Sequence, residues 1–130
     1  MTNLQAALLY DQLLHLDEIV SDKRSLFEMY KTLLKDSVVY PVSEEGTEPA
    51  PWMFVCGVRG IEYPELDHRL RNAGIDVRPF FYDIHVHRHL ADIPSTDITL
   101  SATFCMLPSH PDLSKDDAVR VAGAIRSLSC

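Results

Sequence analysis

The stretch MTNLQAALLYDQLLHLDEIVSDKRSLFEMYKTLLK (residues 1–35) decides the architecture. It holds neither proline nor glycine, and Thr2 or Asn3 can cap its start, so it predicts one long helix or two in line. In the second half Leu26, Phe27, Tyr30, Leu33 and Leu34 form a single apolar stripe, with Lys23, Arg24, Glu28, Lys31 and Lys35 elsewhere on the wheel. The first half lacks such a stripe. Leu4, Ala6, Ala7, Leu8, Leu9, Leu13, Leu14 and Leu16 point in nearly every direction around the axis. A helix that is apolar all round needs cover on all sides, and about 95 further residues supply one small core to provide it. Residues 4–16 are therefore expected to pack against something this chain does not contain.

Outward from that helix the chain alternates short elements. SVVYPV (37–42) predicts a short strand ending at Pro41, EEGTEPAP (44–51) a loop, and WMFVCGV (52–58) a buried strand of β-favouring residues. Pro64 suits a helix start, and Leu66, Leu70 and the Gly74 stop define a short helix. IDVRPF reads as a brief strand closed by Pro79, which cannot donate to a sheet ladder. Residues 83–96 are irregular or a helical turn, and TDITLSATFCMLP (96–108) is ambiguous between helix and strand. DLSKDDAVRVAGAIRSL closes the chain as an amphipathic helix, capped by Ser114, with Val119, Val121, Ala122 and Ile125 as its inner face. Neither a repeat nor an interdomain linker divides the 130 residues, so a single α+β domain is expected.

Hydrophobic residues at 46% and charged ones at 24% argue against disorder. The net charge is −7 with basic residues scattered among acids, which disfavours nucleic acid as a partner. No apolar run approaches the ~20 residues of a membrane span. The N-terminus lacks a basic region and a cleavage site, so it does not read as a signal peptide. Three cysteines, Cys56, Cys105 and Cys130, without CxxC spacing fit a reduced, cytoplasmic setting better than a disulfide framework.

Candidate chemistry gathers in GIDVRPFFYDIHVHRH (74–89). His85, His87 and His89 would share one strand face, or His85 and His89 would be helical neighbours, and either arrangement suits zinc. The competing reading is a polar loop with locally bonded histidines, since no Cys or carboxylate stands at a diagnostic spacing. Arg78, restricted by Pro79 and followed by Phe80, Phe81 and Tyr82, can take an anionic group bidentately, with Tyr82 and His85 adding hydrogen bonds. Equally, it can pair with Asp76 or Asp83. Ser109-His110 lacks a nucleophile elbow and reads as structural, and Cys105, without a flanking cation, as a core residue. Glu44-Glu45 and Asp116-Asp117 read as solvated charges, and Gly57, Gly60 and Gly74 make no phosphate loop.

Four blocks in order carry a family resemblance: the opening helix, PWMFVCGV (51–58), GIDVRPFFYDIH (74–85) and LPSHPDLSKDDAVRVAGAI (107–125). Together they resemble the C-terminal part of the DegT/DnrJ/EryC1/StrS aminotransferases, most of all the GDP-perosamine synthase branch. These pyridoxal-phosphate (PLP) enzymes aminate nucleotide-linked keto-sugars. The resemblance implies the small domain of a fold-type I aminotransferase, with a little antiparallel sheet and a long entering helix (residues 1–35) followed by an α+β body (37–130). In that family the opening helix lies against a PLP-binding large domain and a dimer partner. The Schiff-base lysine and the phosphate-binding turn belong to that large domain, ahead of the position of Met1. The resemblance places Arg78, Tyr82 and His85 near the substrate and assigns no catalytic, cofactor or metal residue here, with PLP implied for the complete enzyme. Family members often have proline where Asp83 stands, and His87 and His89 inherit no role. Lys23, Lys31, Lys35 and Lys115 are not expected to have the buried, partnered setting an imine-forming amine requires. Alone, the chain is expected to show no transamination. The alternatives are a non-catalytic remnant or interaction module that self-associates through residues 4–16, and a histidine-based metal protein.

Overall fold

The computed structural model describes residues 1–82, 87–90 and 100–129. The opening segment is two helices in line, α1 (Asn3–Leu14) and α2 (Leu16–Leu34), joined at His15. Thr2 starts α1 with a reciprocal cap: its hydroxyl accepts from the Gln5 N–H, and its own N–H donates to Gln5 Oε1 at 2.8 Å. No residue of α1 is buried, whereas α2 buries Leu26, Tyr30 and Leu34. The apolar stripe of the second half faces a core, whereas the leucines of the first half stay exposed.

The body holds β1 (Phe54–Cys56), α3 (Tyr63–Asn72), β2 (Arg78–Pro79), a 3-10 turn (Arg88–Leu90), α4 (Leu100–Thr103), β3 (Cys105–Leu107) and α5 (Lys115–Arg126). The strands form an antiparallel sheet in the order β1-β3-β2, with Phe54 opposite Leu107 and Arg78 opposite Met106. The central strand β3 is buried throughout. Helix α5 packs on α2, and Phe54 meets Phe27 edge-on at 5.4 Å and Tyr30 at 5.1 Å. Tyr30, wholly buried, donates its hydroxyl to the Pro108 carbonyl at 3.0 Å.

Several boundaries move relative to the sequence expectation. Residues 37–42 contribute only an isolated bridge, Val39 with Gly57, not a strand. The buried 52–58 strand shrinks to Phe54–Cys56. Pro79, by contrast, is the last residue of β2, as expected. The next residue, Phe80, donates to the Phe104 carbonyl, so the alternation of an antiparallel ladder turns the missing proline N–H away from β3. The ambiguous 96–108 segment contains both forms, α4 and then β3. On α5 the inner face is Ala118, Val121, Ala122 and Ile125, an i, i+3, i+4, i+7 set. Val119 lies about 100° around the axis from Ala118 and is 52% exposed, which corrects its assignment to the inner face.

Two glycines hold the body in register. Helix α3 ends in a Schellman motif, with the Gly74 N–H on the Arg71 carbonyl and the Ile75 N–H on the Leu70 carbonyl. Gly74 supplies the required φ of 72°. At Gly57 a Cβ would lie 2.7 Å from the Thr103 carbonyl oxygen, so only glycine lets β1 pass the end of α4. No described helix is long and apolar enough to cross a membrane.

Candidate functional site

A concavity of about 1120 Å³ opens beside the edge strand β2. Its walls come from β2 and the aromatic run after it, the residues before β1, the 107–111 segment after β3, and the start of α5. Arg78 borders it from β2, with its side chain exposed. Of the acids weighed as its partner, Asp76 instead accepts from Arg71 at 2.7 Å. Arg71 also holds both carboxylate oxygens of Asp67 at 2.9 Å. Asp83 lies outside the described residues. Among the described residues the Arg78 guanidinium makes no ion pair, so a charge able to grip an anion bidentately stands at the rim of the cleft. Tyr82 borders the same cleft and is 65% exposed. His85, the other expected substrate contact, lies outside the described residues.

Three neighbours were not singled out by sequence reasoning. Trp52, expected inside a buried strand, is 60% exposed on the cleft wall. Its ring stacks on Phe81, also 60% exposed, with centroids 5.7 Å apart and planes within 9° of parallel. Lys23 reaches in from α2, and its ammonium donates to the Trp52 carbonyl at 2.7 Å and the Ser109 carbonyl at 2.6 Å. Burial lowers its pKa from the usual lysine value. Lys23 is thus partnered and partly buried, with its amine engaged by two carbonyl oxygens. The signal was present: Lys23 lies three and four residues before Leu26 and Phe27, on the side of the helix that faces the core.

Ser109 is buried, and its hydroxyl clamps the sheet end. It accepts from the Phe54 N–H at 2.9 Å and donates to the Leu107 carbonyl at 2.7 Å, so it is committed to structure. Cys56 and Cys105, opposite each other in the sheet, are buried free thiols. A hydrogen bond to Cys105, together with burial, pushes the Cys56 thiol well above its ordinary value. His87 and His89 are exposed, with rings 6.0 Å apart, and no group of three metal-ligating side chains occurs among the described residues.

The arrangement matches known proteins closely. A model of the DegT/DnrJ/EryC1/StrS aminotransferase family matches residues 1–126. GDP-perosamine synthase of Vibrio cholerae is 30% identical over 98% of this chain and 37% of its own length. The solved structure of DesV from S. venezuelae, in complex with a ketimine intermediate, superposes with a TM-score of 0.80 at 26% identity, over 96% of this chain and 36% of that one. The sugar aminotransferase Spr1654 of Streptococcus pneumoniae, in its PMP form, superposes at 0.85 with 15% identity, over 99% of this chain and 35% of that one, a likeness of fold. The chain spans about a third of the length of the curated relatives it matches.

Proposed function

Because the chain belongs to the DegT/DnrJ/EryC1/StrS aminotransferase family, we propose that it forms the small-domain, substrate-facing wall of a sugar aminotransferase. The substrate class, by family resemblance, is a nucleotide-linked keto-sugar; the Vibrio cholerae relative is named for making a GDP-linked sugar, GDP-perosamine. The observation that carries the reading is the guanidinium of Arg78 on the rim of a cleft, without an ion pair among the described residues, in a chain of net charge −7. An arginine fork there binds a diphosphate bidentately and orients the sugar, and the exposed Tyr82 hydroxyl offers a further hydrogen bond. His85 adds to this wall by family resemblance.

Pyridoxal phosphate, when bound, supplies the electron sink for amino transfer and needs an amine free to form an imine. This chain's lysines do not fit that group. The Lys23 amine is held between two carbonyl oxygens, Lys31 pairs with Glu28, Lys35 ends α2 and Lys115 opens α5. We therefore assign the cofactor to a PLP-binding large domain, and residues 1–130 by themselves bind and orient without transaminating.

The uncovered leucines of α1 favour a second reading in which residues 4–16 bind such a large domain or a second copy of the chain. Titration calorimetry with a GDP-linked sugar tests the main reading. Saturable binding is expected, weakened at least tenfold by Arg78→Ala, and equal affinity for the two proteins would reject it.

A further inference from the structure

The Trp52–Phe81 pair calls for a partner of its own. Both residues are 60% exposed, with their rings stacked on each other beside the cleft. Exposed aromatic surface gathered at a concavity marks a binding site more often than scattered hydrophobic exposure does. The pair is also held in place from both sides. Lys23 fixes the Trp52 carbonyl at 2.7 Å, and the Phe80 N–H anchors the aromatic run to the Phe104 carbonyl at 3.2 Å. A platform fixed before the ligand arrives loses little freedom on binding.

Charge selects the occupant. Asp76 and Asp117 on the same wall are engaged, by Arg71 and by the cap of α5, so among the described residues neither acid takes up the charge of Arg78. Arg78 and Phe81 are three residues apart, a span of at most about 10 Å of chain. That is comparable with the reach of a nucleoside diphosphate from base to phosphates. A flat ring tethered to a diphosphate matches both features, whereas an apolar peptide would leave the guanidinium unanswered.

We propose that the stacked Trp52–Phe81 pair seats the nucleobase of a nucleoside diphosphate whose phosphates are gripped by Arg78. This rests on the reading of the cleft as the nucleotide-sugar wall and adds the residues that recognise the base. Stacking takes any base by its π-face, so the pair supplies affinity without choosing among bases.

The chain contains a single tryptophan, so its emission reports on the platform directly. GDP, UDP and inorganic pyrophosphate are titrated against Trp52 fluorescence, with calorimetry in parallel. Both nucleotides should quench saturably, and pyrophosphate should bind more weakly without quenching. Phe81→Ala, at an exposed position that leaves folding intact, should weaken GDP about tenfold, and Phe81→Tyr should restore it. If GDP binds calorimetrically with Trp52 emission unchanged and Phe81→Ala neutral, the platform is overturned while the cleft reading survives. If GDP does not bind, both fall. Emission that follows protein concentration instead of nucleotide would show the rings covered by a second copy, and would also overturn the proposal.

Discussion

Replacing Ser109 by alanine removes one oxygen that bonds two backbone groups. The Phe54 N–H loses its acceptor at 2.9 Å and the Leu107 carbonyl loses its donor at 2.7 Å, both at the buried end of the β1-β3 pairing. Each such hydrogen bond contributes about 0.5–1.5 kcal/mol net. The two together should lower stability by about 1–3 kcal/mol, a sizeable share of the ~5–15 kcal/mol typical of a domain. With a urea slope of about 2 kcal/mol/M, the unfolding midpoint should drop by about 1 M while the slope stays constant. Ser114→Ala, which removes a helix cap, provides a scale and should cost about 1 kcal/mol. A Ser109→Ala protein that unfolds at the parent's urea concentration would refute the clamp and reopen a chemical role for this serine.

Further outcomes follow from burial and charge. Val121→Ala, at a side chain 2% exposed, should cost about 2 kcal/mol by thermal melting, whereas Val119→Ala should stay within about 0.5 kcal/mol; the reverse order would refute the α5 register. Stability should decline as pH climbs above the ordinary thiol value of 9.0. Cys56 and Tyr30 are buried acids whose pKa values are raised in the folded state, so their contribution is complete below the unfolded values and fades above them. Lys23, lowered by burial, works in the opposite direction near its usual 10.5 but is a single group against two. In urea melts across this range, Cys56→Ala should flatten the decline, and an unchanged slope would refute the assignment. Leu8→Glu on α1 should leave the melting temperature within about 2 °C, because the side chain is exposed, while sedimentation shifts toward monomer; unchanged association would reject the second copy as the helix's cover.

The helices were legible because each carries its own punctuation: the Thr2 cap, the absence of proline up to Pro41, the Gly74 stop and the Ser114 cap all lie where the structure uses them. The contrast between the halves of the opening segment was readable from periodicity alone. Strand lengths were less so, because a run such as WMFVCGV does not show where pairing stops. The Ser109 hydroxyl accepts from the Phe54 N–H at that end. Arg78 and Tyr82 could be named from residue chemistry beside a proline. Trp52 and Lys23 could not, because their roles depend on contacts across the fold: Trp52 meets Phe81, twenty-nine positions on, and Lys23 reaches Ser109, eighty-six positions away.

The most direct measurement supplies the chain with a PLP-binding large domain from a GDP-perosamine synthase relative and follows amino-sugar formation from a GDP-linked keto-sugar. Product should form only when both parts are present, and it should diminish when Arg78 is replaced by alanine. Amino-sugar formed by residues 1–130 and cofactor alone, or a stable complex indifferent to Arg78, would contradict the account.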